Sequence, residues 1–312
     1  MRFGGHETFP IRRGWLHKGL QLLLEEPEKL LHEFAEDYLG VGRNMAKSIK
    51  HWMMATGLVV GPLRNKNVTT SEIEPTELAT LVWTHDPLLL LPGTWWSLHL
   101  KLAAERTHAY SWMWFFNAFG LDRFDRSRCF HALTRHLEDS GDKRVPSERT
   151  LQRDIACLLS SYSRRIPEAH VDPEETNECP LRELGLMVHF RDSSTYVVDR
   201  GAKSIPVEVL GMSMAIAFGE GAAERKWMDV NISDAHTVAN GPGRTLCLSA
   251  DALAGMASDA TKGSGIELVA LAGGRAIRFE NLSPLEWMQR YYDRMIADPS
   301  TAAVLSSVGR RQ

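Results

Sequence analysis

The N-terminal run Gly4-Gly5-His6-Glu7-Thr8-Phe9-Pro10, followed by Arg12-Arg13, is the densest polar constellation in this 312-residue chain. An imidazole beside a carboxylate can move protons in general acid/base catalysis, so His6 and Glu7 are candidate catalytic residues. Glu7 can also hold a metal that polarises a phosphate. Arg12 and Arg13 could offset charge developing on phosphoryl oxygens. Adjacent side chains in extended backbone point to opposite faces, so His6 and Glu7 need a turn to converge. The same residues also have a structural reading, in which hydrogen bonds and Phe9 staple the N-terminus onto its domain. The sequence has no phosphate loop, no Gly-x-Ser-x-Gly elbow and no His-Glu-x-x-His zinc helix.

The elements after Arg13 must position these residues. Apolar spacing predicts helices over Gly14–Glu25, Glu28–Tyr38 and Arg43–Thr56, with Leu39-Gly40-Val41-Gly42 as the turn before the third and Gly57 as its C-cap. Leu58-Val59-Val60, a polar loop Arg64–Asn67 and Val68-Thr69 then read as a hairpin. Helix, glycine turn, helix and hairpin in that order form a winged helix-turn-helix pattern. On the third helix, Met45, Ile49, Trp52, Met53 and Thr56 share a packing stripe, while Arg43, Lys47, Lys50 and His51 project from the other side. Asn44 stands at the helix start. Such a face can meet phosphates and guanine edges of double-stranded DNA; the plain alternative is a solvated basic face.

Helices over Pro75–Thr84, Gly93–Arg106 and Ser111–Phe119 are too apolar and aromatic for a surface and predict a buried bundle. A second helix pair, Arg128–Asp139 and Ser147–Ser163, carries another polar stripe of Arg149, Gln152 and Arg153. It fits DNA reading or ordinary packing equally well. The polar, proline-containing stretch 167–178 is the expected linker. Beyond it, helices over Cys179–Leu186 and Ile205–Phe218 enclose short strands at Met187–Phe190 and Thr195–Val198. Asp251–Thr261 and a Gly-Gly-tipped hairpin, Ile266–Leu271 with Ala276–Phe279, form another helix-plus-wing unit before a last helix, Ser283–Ile296. The expected architecture is mainly α with small β-hairpin wings. It comprises a winged helix-turn-helix domain over 1–70, a helical bundle with a second helix-turn-helix-like pair over 71–166, and a C-terminal α+β winged-helix-like domain over 179–312.

Net charge is −3, yet basic residues concentrate in the first half and acids after about residue 167, as a local nucleic-acid face requires. Cys129, Cys157, Cys179 and Cys247 lie in no Cys-x-x-Cys pair, which predicts four buried thiols in a reducing compartment. His131 and His136 near Cys129 fall on different helix faces and predict no metal site. No apolar run approaches the roughly 20 residues of a membrane span, and no signal-peptide core follows Met1. A cytoplasmic protein is expected.

Several segments resemble one known family. They are Phe3–Pro10 with Gly14-Trp15-Leu16, Leu39-Gly40-Val41-Gly42-Arg43-Asn44-Met45, and Thr94-Trp95-Trp96-Ser97-Leu98-His99. Ser111–Asn117, Thr150-Leu151-Gln152-Arg153-Asp154 and Cys179–Leu186 continue the likeness. The chain resembles the SspB-like family of single-stranded DNA phosphorothioation operons, once catalogued as a domain of unknown function. Leu88–Leu91 departs from the more acidic stretch expected there. The resemblance implies a sequence-specific DNA-binding subunit, with DNA-nicking endonuclease activity, of a bacterial phosphorothioate modification and antiphage defence system. It also implies a metal such as magnesium for the nicking step, and work alongside a cysteine desulfurase, an ATPase and a phosphosulfate-reductase-like partner. The competing expectation is a non-catalytic adaptor that positions partner enzymes on DNA.

Overall fold

The computed structural model describes residues 1–61, 74–141, 145–166, 179–219, 225–271 and 273–298. The chain divides into two units, Met1–Thr80 with Leu98–Arg200, and Leu81–Ser97 with Gly201–Gln312. This division falls after Arg200, not in the expected linker 167–178, and the expected first boundary near residue 70 has no counterpart in it. The reason is strand pairing, which ties 187–198 to elements before the linker.

The first unit opens with α1 (Trp15–Glu25), α2 (Pro27–Leu31), α3 (Ala35–Leu39) and α4 (Arg43–Ala55). The single helix expected over Glu28–Tyr38 is thus two short ones. The chain becomes extended at His32, whose Nδ1 accepts the Phe34 amide at 3.2 Å, and Phe34 is 47% exposed. α4 follows expectation closely. Gly57 takes a left-handed conformation behind it, and Ile49, Trp52, Met53 and Thr56 are buried.

Strand β1 (Val59–Val60) pairs antiparallel with β2 (Glu74–Pro75). The expected wing loop Arg64–Asn67 and return Val68-Thr69 lie outside the described residues. Next come α5 (Glu77–His85), α6 (Pro92–Ala104) and α7 (Tyr110–Asn117). Trp96, Leu98, Leu100, Trp112, Trp114, Phe115 and Phe116 are buried, as the aromatic density predicts.

Strand β3 (Arg123–Asp125), α8 (Arg126–Asp139), α9 (Glu148–Tyr162) and β4 (Ser163–Ile166) follow. Ser147 caps α9 by accepting the Thr150 amide. The expected helix at Cys179–Leu186 is a shorter 3-10 turn, Pro180–Leu184, and β5 (Met187–Phe190) and β6 (Thr195–Val198) lie where expected. The sheet order β3-β6-β5-β4, with β4 parallel to β5, was not foreseen. Three- and four-residue strands at helix ends carry too little alternation to read.

The second unit holds α10 (Val207–Phe218), β7 (Trp227–Asn231), α11 (Ile232–Thr237), α12 (Pro242–Thr245), α13 (Ala250–Ser258), β8 (Ile266–Leu271), β9 (Gly274–Glu280) and α14 (Pro284–Ala297). β8 and β9 form the expected hairpin, and β7 joins them in the order β7-β9-β8. α10 packs on α14, where a Cβ on Gly211 would stand 2.4 Å from the buried Trp287 ring. Only glycine allows that approach. α14 begins with a capping box between Ser283 and Glu286. No described helix is long and apolar enough to cross a membrane.

Candidate nucleic-acid interface

His6 does not meet Glu7. It turns inward and is 1% exposed. Its Nδ1 accepts the Thr8 amide at 3.0 Å, so the ring proton sits on Nε2, which donates to Asp154 Oδ1 at 3.0 Å. The same Asp154 oxygen accepts the Gly4 amide at 2.7 Å, and Oδ2 accepts the Ser111 hydroxyl at 2.8 Å. Around the imidazole stand Trp112, His51 and Trp52, with ring centroids 5.7, 6.1 and 6.1 Å away. Both imidazole nitrogens are thus engaged inside the protein, and neither is left to take a proton from a substrate. The pairing of His6 with Glu7 as neighbouring catalytic groups is corrected by this geometry; His6 holds structure.

The turn that buries His6 is tight. Glu7 and Thr8 have φ of 49° and 75°, a conformation side-chain-bearing residues seldom adopt, and the Phe9 amide donates to the His6 carbonyl at 2.8 Å. Glu7 is left partly exposed. The Phe9 carbonyl then accepts from Trp52 Nε1 at 3.0 Å and from Ser48 Oγ at 3.5 Å, both on α4. One short segment therefore bonds to α9 through Gly4 and His6 and to α4 through Phe9. These are the two helices with candidate DNA-reading stripes.

On α4, Arg43, Asn44 and Lys47 are exposed and Lys50 is half-buried. Arg43 pairs with Glu36 at 3.1 Å, and Lys47 Nζ donates to Asn44 Oδ1 at 3.4 Å. Burial lowers the Lys50 ammonium pKa, with Glu36 acting weakly against it. His51 departs from expectation. It is 3% exposed instead of lying on the reading face, because Gly5 closes over it. A Cβ on Gly5 would stand 2.4 Å from His51 Nδ1. Among the described residues neither His51 nitrogen has a hydrogen-bond partner. Its pKa lies well below the ordinary imidazole value, first through burial and then through the proximity of His6, Arg2 and His108.

On α9, Arg149, Gln152 and Arg153 are exposed as expected, and Gln152 bonds Glu148 at 2.8 Å. The remaining two candidates have other partners. The Arg12 guanidinium lies over the rings of Phe9 and Trp15, at 5.5 and 5.3 Å, and Arg13 forms an ion pair with Glu183.

Asp154 and Ser111 were not singled out from the sequence, although a signal existed. Asp154 sits on the apolar stripe of Leu151, Ile155 and Leu158, and a carboxylate there must find donors. The four cysteines are buried, as expected, and none is paired with another in a disulfide.

Arg2, Gly5, Glu7, Lys47, Lys50, His51 and Met54 line a small cleft of about 160 Å³ between the N-terminal turn and α4. Glu7 is its one carboxylate. Among the described residues no three His, Cys, Asp or Glu side chains group as metal ligands. Magnesium is usually held by one or two carboxylates together with substrate phosphates and water. Glu7 fits that role only with a phosphate supplying further oxygens.

A family model described as "Protein of unknown function (DUF4007)" matches residues 3–292. The chain belongs to this family. The family frame thus includes the His6 turn and the first nine residues of α14, to Tyr292. Two solved structures share the fold at 25% sequence identity, each match covering 96% of this chain and 90% of the other. They are a magnesium ion-bound SspB crystal structure, with a TM-score of 0.80, and an SspB crystal structure, with a TM-score of 0.77. No curated protein matches the chain.

Proposed function

We propose that this DUF4007 protein is a DNA-binding subunit of a phosphorothioate modification and antiphage defence system. The observation that carries the reading is the N-terminal turn, which bonds to both basic helices and buries His6 to do so. A duplex would meet Arg43, Asn44, Lys47 and Lys50 on α4. Arg149, Gln152 and Arg153 on α9 would contribute to the same interface. Lys and Arg gain affinity there by displacing the counterions condensed on DNA. In this reading the first helices and the β1–β2 pair act as a winged helix-turn-helix. The strand order β7-β9-β8 around α11 and α13 supports a second winged-helix-like fold. α13 carries no Lys or Arg, so that second element is assigned to partner contacts rather than to DNA.

For nicking, the reading assigns Glu7 rather than His6 to the reacting phosphate. Magnesium, when bound, would supply Lewis-acid polarisation of a phosphoryl oxygen, held by Glu7 and the phosphate itself. Arg2, Lys47 and Lys50 orient that phosphate, and His6 holds the turn on which Glu7 stands. The likeness to SspB supports this assignment, together with a cysteine desulfurase, an ATPase and a phosphosulfate-reductase-like partner. The engagement of both His6 nitrogens favours a second reading, a DNA-binding adaptor without catalysis.

Duplex binding and relaxation of supercoiled plasmid with magnesium test both. The leading reading expects Lys47→Ala with Lys50→Ala to weaken binding, and Glu7→Gln to remove relaxation while binding persists. Binding without relaxation by the wild-type protein supports the adaptor. No duplex binding at all overturns both.

A further inference from the structure

The cleft between the N-terminal turn and α4 shares Lys47 and Lys50 with the candidate DNA-reading face of that helix. Lys47, Lys50, His51 and Met54 follow at spacings of three, four and seven residues, so one stripe of α4 forms its wall. Gly5 and Glu7 form the opposite side. Arg2 closes it, with Nε 3.1 Å from where a Cβ on Gly5 would stand. The absence of that Cβ brings backbone and guanidinium together over His51. The lining therefore holds three basic side chains, Arg2, Lys47 and Lys50, and one carboxylate, an excess of positive charge in about 160 Å³. That space has room for one phosphate-sized anion.

Two further features point to an anion. Lys50 is half-buried, and burial disfavours its charge, so an anion beside it would repay that cost. His51 is buried in the wall, and among the described residues neither of its nitrogens has a partner, which leaves the site polar and unsatisfied on that side.

We propose that this cleft is a recessed pocket for a single phosphate group, gripped by Arg2, Lys47 and Lys50, with Glu7 at its rim. The proposal rests on the DNA-binding reading for the source of the phosphate, a backbone phosphodiester, but the pocket is testable without DNA. Arg43 and Asn44 lie outside it, so the pocket fixes the register of one phosphate while the outer residues track the duplex. Glu7 opposes the anion and keeps free phosphate weakly held.

The test titrates inorganic phosphate into the full chain and follows the backbone amide resonances of Gly5, Glu7 and Lys50 by NMR. Saturable shifts are expected at these three amides. Lys50→Gln and, separately, Arg2→Gln should each weaken the phosphate by about tenfold, the loss of one charge-assisted contact. Lys47→Gln, at an exposed position that carries little folding risk, should weaken it as well. The absence of saturable shifts in the wild-type protein overturns the pocket. So do shifts that all three variants leave unchanged. Duplex binding measured on the same samples separates the two readings. If phosphate shifts appear but duplex does not bind, the DNA reading fails and the pocket stands. If duplex binds and phosphate produces no shift, the pocket fails and the DNA reading stands.

Discussion

His6 Nε2 donates to Asp154 Oδ1 across 148 residues of sequence, and that bond fastens the N-terminal turn to α9. Asp154 is 2% exposed and also accepts from Gly4 and Ser111. Replacing it with Ala strands three buried donors, each costing about 1–3 kcal/mol. Asp154→Ala should therefore lower unfolding stability by about 3 kcal/mol or more, with Asp154→Asn milder because its carbonyl oxygen still accepts. Urea denaturation checks this. A loss below about 1 kcal/mol for the alanine variant would contradict the clamp.

Gly5→Ala should destabilise the protein by about 1–3 kcal/mol, the usual cost of overpacking. The new methyl would meet His51 Nδ1 at 2.4 Å. The double variant with His51→Ala should recover most of the loss, since the two groups compete for one space. Additive losses in thermal denaturation would show that Gly5 is needed for something other than this contact.

Stability should fall as the solution is made more acidic than about pH 6.5, the ordinary imidazole value. In the folded protein His51 is held well below that value, so the unfolded chain takes up a proton that the folded one refuses. Its contribution is complete above about pH 6.5 and is lost as pH drops toward the depressed value, with a slope of at most about 1.4 kcal/mol per pH unit per proton. His108 and His189 are shifted in the same direction, also chiefly by burial. His51→Gln should flatten part of the slope and leave the remainder to these two. An unchanged slope in that variant would contradict the burial of His51.

The pattern of α4 was legible because thirteen residues with a clean apolar stripe, Ile49, Trp52 and Met53, admit one helical reading. So was the β8–β9 hairpin, where Gly273 and Gly274 take positive φ at the tip. His51 was misplaced for a physical reason. Periodicity orients a residue on its own helix but does not report what another segment lays over it, and the cover comes from Gly5, 46 positions earlier. The inward turn of His6 was hidden similarly. Its partner Asp154 stood in plain view on an apolar stripe, yet nothing local joins positions 148 residues apart. The strands β3 and β4 were missed because pairing, and not composition, defines them.

Cys129, Cys157, Cys179 and Cys247 should resist alkylation under native conditions and react only on unfolding. All four are buried. Burial raises the Cys129, Cys157 and Cys179 thiols, with Cys179 pushed up to about 12, so thiolate is scarce at neutral pH. Thiol titration with and without denaturant reads this directly. Rapid native labelling of any of these three would contradict their packing.

The lysine stripe of α4 meeting DNA phosphates is the central claim. The direct measurement is the salt dependence of duplex affinity for the wild-type chain and for Lys47→Ala with Lys50→Ala. Each lost phosphate contact should make the slope of log affinity against log salt shallower by about 0.9. Lys47 and Lys50 share the one phosphate of the recessed pocket, so the double variant predicts a slope reduced by about 0.9 and weaker binding at low salt. An unchanged slope with wild-type affinity would contradict the claim.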